Sequence, residues 1–191
     1  MANAYDSVIA PLDSFGLRRW REWAINAAHG YTLEIGVGTG LNLPHYRNTR
    51  FVAAIDPDNE SLQSALNRCR GKMFLQTARA EELPFANDVF DAVVGTLTFC
   101  SIGAPGRALD EIRRVLKPGG ALRLVEHVRV KNRLGAAVQD ALTPYWKQIA
   151  GNCHLNRDTL STVEQAGFEM RQVKRLLGGL LIGIDAILSE K

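Results

Sequence analysis

The chain has 191 residues, of which 46% are hydrophobic and 23% charged, with a formal net charge of +3. That is the length and composition of one globular domain able to bury a core without staples, which excludes disordered and fibrous classes. No apolar run is long enough to cross a membrane, and the weak positive charge permits an anionic ligand or surface without requiring one.

The N-terminus "MANAYDSVIAPLDSFG" has neither the basic start nor the long apolar core of a signal peptide. Leu12, Phe15, Trp20, Trp23, Ala24 and Ala27 fall mostly on one face of a predicted helix, with Arg18, Arg19 and Arg21 elsewhere. Residues 1–30 are expected to form a helical cap or lid, and residues 31–191 the main domain. The basic, amphipathic character of that helix also suits peripheral contact with anionic lipid.

Strands are expected at "YTLEIG", "RFVAAID" (50–56), "KMFLQTA" and "FDAVVGTLTF". The last is a continuous apolar run, as in a strand buried on both faces. A helix is expected over about 59–70, with Leu62, Ala65, Leu66 and Cys69 on one face. "ALDEIRRVLKPGG" reads as a helix stopped by Pro118, Gly119 and Gly120, and "ALRLVEHV" as the fifth strand. A helix follows over about 134–149, interrupted or kinked near Pro144. Asp158 is placed to cap a helix that Gly167 ends, and "FEMRQVKRL" and "LIGIDAILS" read as two closing strands. Strand–helix alternation of this kind predicts an α/β fold: a Rossmann-like, doubly wound, mainly parallel seven-stranded sheet with helices on both faces. Ligands of such sheets lie at the carboxyl ends of the strands.

The turn after the first strand is Gly36-Val37-Gly38-Thr39-Gly40. A dinucleotide fingerprint would need glycine at position 41, which is Leu41, and no Lys-Ser or Lys-Thr follows for a phosphate loop. Instead Glu34 precedes the turn, and Asp56 ends the second strand twenty residues after Gly36, where an acid reaches ribose hydroxyls. With "ARAEELPFANDVFDAVV" and "LDEIRRVLKPGGALRLVEHV", this pattern resembles the class I S-adenosylmethionine (SAM) methyltransferases of the type 11 domain. The resemblance implies SAM as methyl donor and S-adenosylhomocysteine as product. It implies donor contacts at Glu34, Gly36, Gly38, Gly40, Asp56, Pro57, Ala80, Glu81, Thr96 and Leu97, with Tyr5 closing over the donor. Many relatives carry Asp where this chain has Arg79, so the side-chain contact to adenine is not expected there.

"TLTFCSI", "VEHV" and the series Pro144, Trp146, Gly151, Cys153, Leu155 and Arg157 resemble the methyltransferase-like thiol S-methyltransferase branch. The resemblance implies a small-molecule acceptor, with a thiol as the specific expectation. A thiol ionises near neutral pH and needs less help than a carbon or oxygen acceptor. His127, at the end of the fifth strand, is the expected catalytic base or acceptor-orienting group. Cys100, Tyr145, Trp146 and His154 are the candidate acceptor-binding residues. "LEIGVGTGLNLPHY" also resembles bacterial phosphatidylethanolamine N-methyltransferases, so a phospholipid or quinone acceptor is the alternative, and a non-catalytic SAM-binding protein a third reading. The animal thiol enzymes carry a hydrophobic N-terminal anchor that this sequence does not show. Cys69, Cys100 and Cys153 are far apart with no CxxC pair, so neither a disulfide framework nor a metal site is expected, and a reducing cytoplasm fits best. No basic run with interleaved aromatics points to nucleic acid. Monomer and homodimer both stay open.

Overall fold

The computed structural model of the chain describes residues 16–150 and 152–189. Tyr5, Leu12, Phe15 and Gly151 lie outside the described residues. In chain order the elements are α1 (Arg18–Asn26), β1 (Gly30–Ile35), β2 (Thr49–Asp56), α2 (Asn59–Leu66), β3 (Met73–Thr77), β4 (Phe90–Thr96) and α3 (Pro105–Val115). They continue with β5 (Leu116–His127), α4 (Arg133–Ile149), α5 (Thr159–Gln165), β6 (Phe168–Leu176) and β7 (Leu181–Leu188). One seven-stranded sheet has the order β3-β2-β1-β4-β5-β7-β6. Neighbours run parallel from β3 to β5, and β7 is antiparallel to both β5 and β6. The chain starts in the middle of the sheet, winds outward through β2 and β3, then returns to β4 on the other side of β1. The carboxyl ends of β1 and β4 therefore part, and a crevice opens between the loops that leave them.

Two apolar layers hold the sheet. Leu33 and Ile35 of β1 face one layer with Leu109 and Ile112 of α3 and Val163 of α5. Val52, Ala54, Val94 and Val125 face the other with Ala24 and Ile25 of α1 and Leu62 and Ala65 of α2. The expected fold is therefore present. Asp58 caps α2 by accepting N–H bonds from Glu60 and Ser61, and Asp158 caps α5 by accepting one from Ser161. Among the described residues, no helix is long and apolar enough to cross a membrane.

Local details differ from the sequence expectation. Helix α2 ends at Leu66, so Cys69 lies in the turn beyond it. Helix α3 ends at Val115, and Lys117 to Gly120 form a bulge inside β5: Phe90 pairs with Leu116, whereas Ala92 pairs with Ala121. Helix α4 runs unbroken through Pro144. Arg21 is buried, not part of an exposed basic face.

Helix α1 is seated by a buried ion pair. Arg123 of β5 donates to Asp185 of β7 at 2.7 Å, and these two residues face each other across the strand ladder. The Arg123 guanidinium lies 5.7 Å from the centre of the Trp23 ring, and Trp20 and Trp23 rest on Gly183, where a Cβ would come within 2.7 Å of Trp23. Arg123→Ala leaves the buried Asp185 carboxylate without its partner and is expected to cost about 3–5 kcal/mol in urea unfolding. Lys117→Ala breaks the more exposed pair with Asp91, also 2.7 Å, and is expected to cost under about 1 kcal/mol. Equal losses in the two variants would show that burial does not set the strength of these pairs.

Candidate active site

The donor end is built on β1. Gly36, Gly38 and Gly40 all have positive φ, 62°, 52° and 86°. At Gly36 a Cβ would collide with the Thr98 side chain, and at Gly40 with Ala65 of α2. Gly38 faces open space, so the backbone there can be approached by a ligand. Asp56 steadies this turn: one carboxylate oxygen accepts from Gly38 N–H at 2.8 Å and the other from Asp58 N–H at 2.9 Å. Each oxygen keeps a lone pair for a ribose hydroxyl. Pro57 follows directly.

Glu34 is fully buried beneath the turn. Asn42 donates to its carboxylate at 2.9 Å and to Thr96 Oγ1 at 3.1 Å, and accepts from Arg21 Nη1 at 3.2 Å. One buried amide thus ties α1, β1 and β4 together. Neither Arg21 nor Asn42 stands out in the sequence as a site residue. Arg21 is hidden among surface-like arginines, and Asn42 reads as loop. Arg21, Glu34, Gly36, Gly38, Asn42 and Thr96 are among the residues lining a cavity of about 30 Å³, room for one water or an ammonium head. A far larger cavity, about 580 Å³ with Asp88, Arg113 and Pro118 in its wall, lies at the amino-terminal end of the parallel strands, away from this site.

The expected adenine side divides. Ala80 is buried. One oxygen of the Glu81 side chain accepts from Gly103 and Ala104 N–H at 3.1 and 3.3 Å and from Arg79 at 3.2 Å, capping the approach to α3. Leu97 has φ 55° and donates its N–H to Val125 at 2.7 Å, which turns the chain sharply at the end of β4.

Glu126, unremarked in the sequence, organises the acceptor end. Its buried carboxylate accepts N–H bonds from Thr98 (2.8 Å), Phe99 (3.0 Å) and Cys100 (3.4 Å). Burial raises its pKa to about 6. Next to it His127 Nε2 lies 3.0 Å from Cys153 Sγ, and its Nδ1 has no hydrogen-bond partner. The side chains of Cys100, His127 and Cys153 converge, with their ligand atoms all within 4.8 Å of one another. The neighbouring Cys100 thiol, then His127, hold the Cys153 thiol well below its ordinary pKa; contact with Cys153 and burial push Cys100 up. Burial, the largest single influence, opposes the charge on His127, but the bond with Cys153 and the charges of Cys153 and Glu126 together outweigh it and raise its pKa. The spacing of these three residues does not suggest a metal-ligand set; separation along the chain conceals that the fold gathers their side chains.

The loop bearing Cys153 is bolted to the turn bearing Cys100. Arg157 donates to the Phe99 and Ile102 carbonyls, Asn152 to Ser101 at 3.1 Å, and His154 N–H to Cys100 at 2.8 Å. His154 Nδ1 lies 3.2 Å from that same carbonyl and 3.1 Å from Arg157, so its ring docks the loop instead of reaching an acceptor. Tyr145 is 70% exposed on the outward face of α4. Trp146 is 41% exposed and stands beside Cys153, at the rim of the cluster.

Burial raises the Glu34 pKa to about 7, against the hydrogen bond from Asn42. Ionising it therefore costs the unliganded fold stability as pH rises from 4.5 to about 7, and a cationic ammonium arriving beside it offsets that cost. SAM affinity is expected to rise across this window, with protons released on binding below its top. Glu34→Gln is expected to flatten the profile in calorimetric titrations; a pH-independent wild-type affinity contradicts the role assigned to this acid.

Comparison with known proteins agrees with this geometry. A methyltransferase-domain family model matches residues 33–124. Thiol S-methyltransferase TMT1B of Rattus norvegicus is 35% identical over 150 residues, covering 74% of this chain and 61% of that protein. The phosphatidylethanolamine N-methyltransferase of Cereibacter sphaeroides is 37% identical over 128 residues, covering 63% of this chain and 62% of that protein. The chain thus spans about three fifths of the length of these curated relatives. A Thermotoga maritima structure described as a SAM-dependent methyltransferase, possible histamine N-methyltransferase, shares the fold with TM-score 0.69 at 21% identity, covering 99% of this chain and all of that one. The sheet order and the glycine turn between Glu34 and Asp56 agree with these likenesses: residues 33–124 match the methyltransferase-domain family model, and the chain is similar to SAM-dependent methyltransferases in sequence and fold.

Proposed function

We propose that the protein transfers the methyl group of SAM to a small thiol. The observation that carries this reading is the Cys100–His127–Cys153 cluster, built from the turn after β4, the end of β5 and the loop after α4. Thr98, two residues before Cys100, lies against Gly36 through its hydroxyl bond to Ile35. Donor and acceptor ends therefore share one short turn.

The sulfonium already activates the methyl group, so the protein's task is to align an acceptor sulfur behind the methyl carbon and to accept or displace its proton. Sulfur and imidazole side chains suit a soft thiol. The buried acids nearest this cluster and the donor turn, Glu126 and Glu34, are engaged by backbone N–H groups and by Asn42. The likeness to the thiol enzyme supports the same choice.

A screen of small thiols, amines and phenols with labelled SAM is expected to yield a thioether. Transfer to amines or phenols alone overturns the thiol reading, and SAM binding with no transfer at all favours a binding protein. His127→Ala is expected to lower turnover by roughly 100-fold or more while leaving SAM affinity intact. Equal loss of both, or of neither, removes His127 from the acceptor side.

One observation favours a second reading, an amphiphilic acceptor such as a phospholipid or quinone. Leu134, Val138, Leu142 and Tyr145 form an exposed apolar stripe along α4, at 77%, 50%, 51% and 70% exposure, with Lys131 and Arg133 at its start. The buried anchors Ala136, Gln139 and Thr143 lie on the opposite face. Under this reading the chain co-sediments with anionic vesicles, and Leu134→Glu combined with Leu142→Glu releases it. A wild-type chain that stays in the supernatant removes the amphiphilic reading.

A further inference from the structure

We propose that Cys100, His127 and Cys153 form a zinc site with one coordination position left open for the acceptor. Three segments bring the ligands together: the turn after β4, the end of β5, and residues 152–157 after α4. Zinc held by two cysteine sulfurs and one histidine nitrogen in a tetrahedron needs ligand atoms about 3.5–3.8 Å apart. The three donors already lie within 4.8 Å of one another, with Nε2 and Sγ at 3.0 Å, so side-chain adjustments well short of a backbone movement complete the set.

The charge balance suits the place. Two thiolates and a neutral imidazole make a divalent zinc site neutral overall, which the buried Cys100 and Cys153 positions favour over free thiolates. The Arg157 guanidinium, held against the Phe99 and Ile102 carbonyls, stands close enough to act on Cys100 and Cys153 and offsets the extra negative charge of a fourth, thiolate ligand. Half-buried His127 and the rim residue Trp146 leave an approach to the cluster. Softness of the donors selects zinc over magnesium or calcium.

The role of this site in turnover rests on the thiol reading; its existence does not. An acceptor thiol binds the open position as thiolate and gives its proton to solvent. Its sulfur then attacks the methyl carbon: the new sulfur–carbon bond forms as the sulfonium–methyl bond breaks. The electron pair of that broken bond stays on the departing S-adenosylhomocysteine sulfur. The thioether product is a poor zinc ligand and leaves.

The test uses the full chain freed of metal by chelator, then titrated with Co²⁺ and with Zn²⁺. One equivalent of Co²⁺ per chain is expected to give sulfur-to-cobalt charge-transfer bands and the strong visible bands of a tetrahedral site, both erased by Zn²⁺. Cys100→Ser and Cys153→Ser are each expected to lose the charge-transfer intensity while still binding SAM, which verifies their folding. Cys69→Ser is expected to keep the bands. A wild-type protein without bands, or a Cys153→Ser variant with full bands, overturns the site. Thiol methylation by the metal-free protein at the rate of the zinc-loaded one overturns its catalytic role while leaving the thiol reading intact. Cobalt binding with no thiol turned over overturns the thiol reading and leaves the metal site standing.

Discussion

The carboxylate of Glu126 sets the working end of this protein. It sits fully buried at the end of β5 and collects the N–H groups of Thr98, Phe99 and Cys100. An acid in an apolar surround is costly unless its lone pairs are filled, and a turn at a strand end has N–H groups that need acceptors. Each solves the other's problem. The turn after β4 is thereby pinned to β5, and two consequences follow. Thr98 is pressed against Gly36, which explains why that glycine tolerates no side chain. Cys100 is held where Cys153 and His127 meet it.

A second set of bonds closes the acceptor side from the other direction. Polar bonds fix the short stretch of residues 152–157 that follows α4. Buried Gln139 accepts from Val130 N–H and donates to the Val128 and Leu155 carbonyls. Arg157 and Asn152 then reach across to the turn of Phe99 to Ile102. This gives the spaced series from Pro144 to Arg157 a division of labour. Arg157 fastens the loop, Cys153 points into the cluster, and Trp146 stands at the rim. The position of this segment depends on hydrogen bonds, whereas the glycine turn rests on the packed sheet.

The two halves of the site differed in how much of them could be read in one dimension. Glu34, Gly36, Gly38, Gly40 and Asp56 are local in sequence or one strand apart, and the turn they form follows from glycine's backbone freedom and the doubly wound sheet. The residues of the second cluster are 26 or more positions apart in the chain, and nothing in the spacing of Cys100, His127 and Cys153 announces that they meet. Glu81 and His154 were legible as polar residues near the site, but their partners, Gly103, Ala104 and Cys100, belong to other segments and turn both side chains to structural tasks. Tyr145 sits one residue from Trp146 and is thrown to the outer face by the roughly 100° step of the helix.

By itself the sequence determined the alternation of strands and helices, the glycine turn and its two acids. These are properties of neighbouring residues: periodicity, backbone freedom and capping. Only the tertiary structure decided that Arg21 and Asn42 lie beneath the donor turn, that Glu126 fastens the β4 turn, and that two cysteines and a histidine converge. Those contacts join elements whose relative placement follows from sheet order and from two buried carboxylates finding their donors. A hydrogen bond between distant segments leaves no local pattern to read, because its two partners are chosen by the fold and not by their spacing.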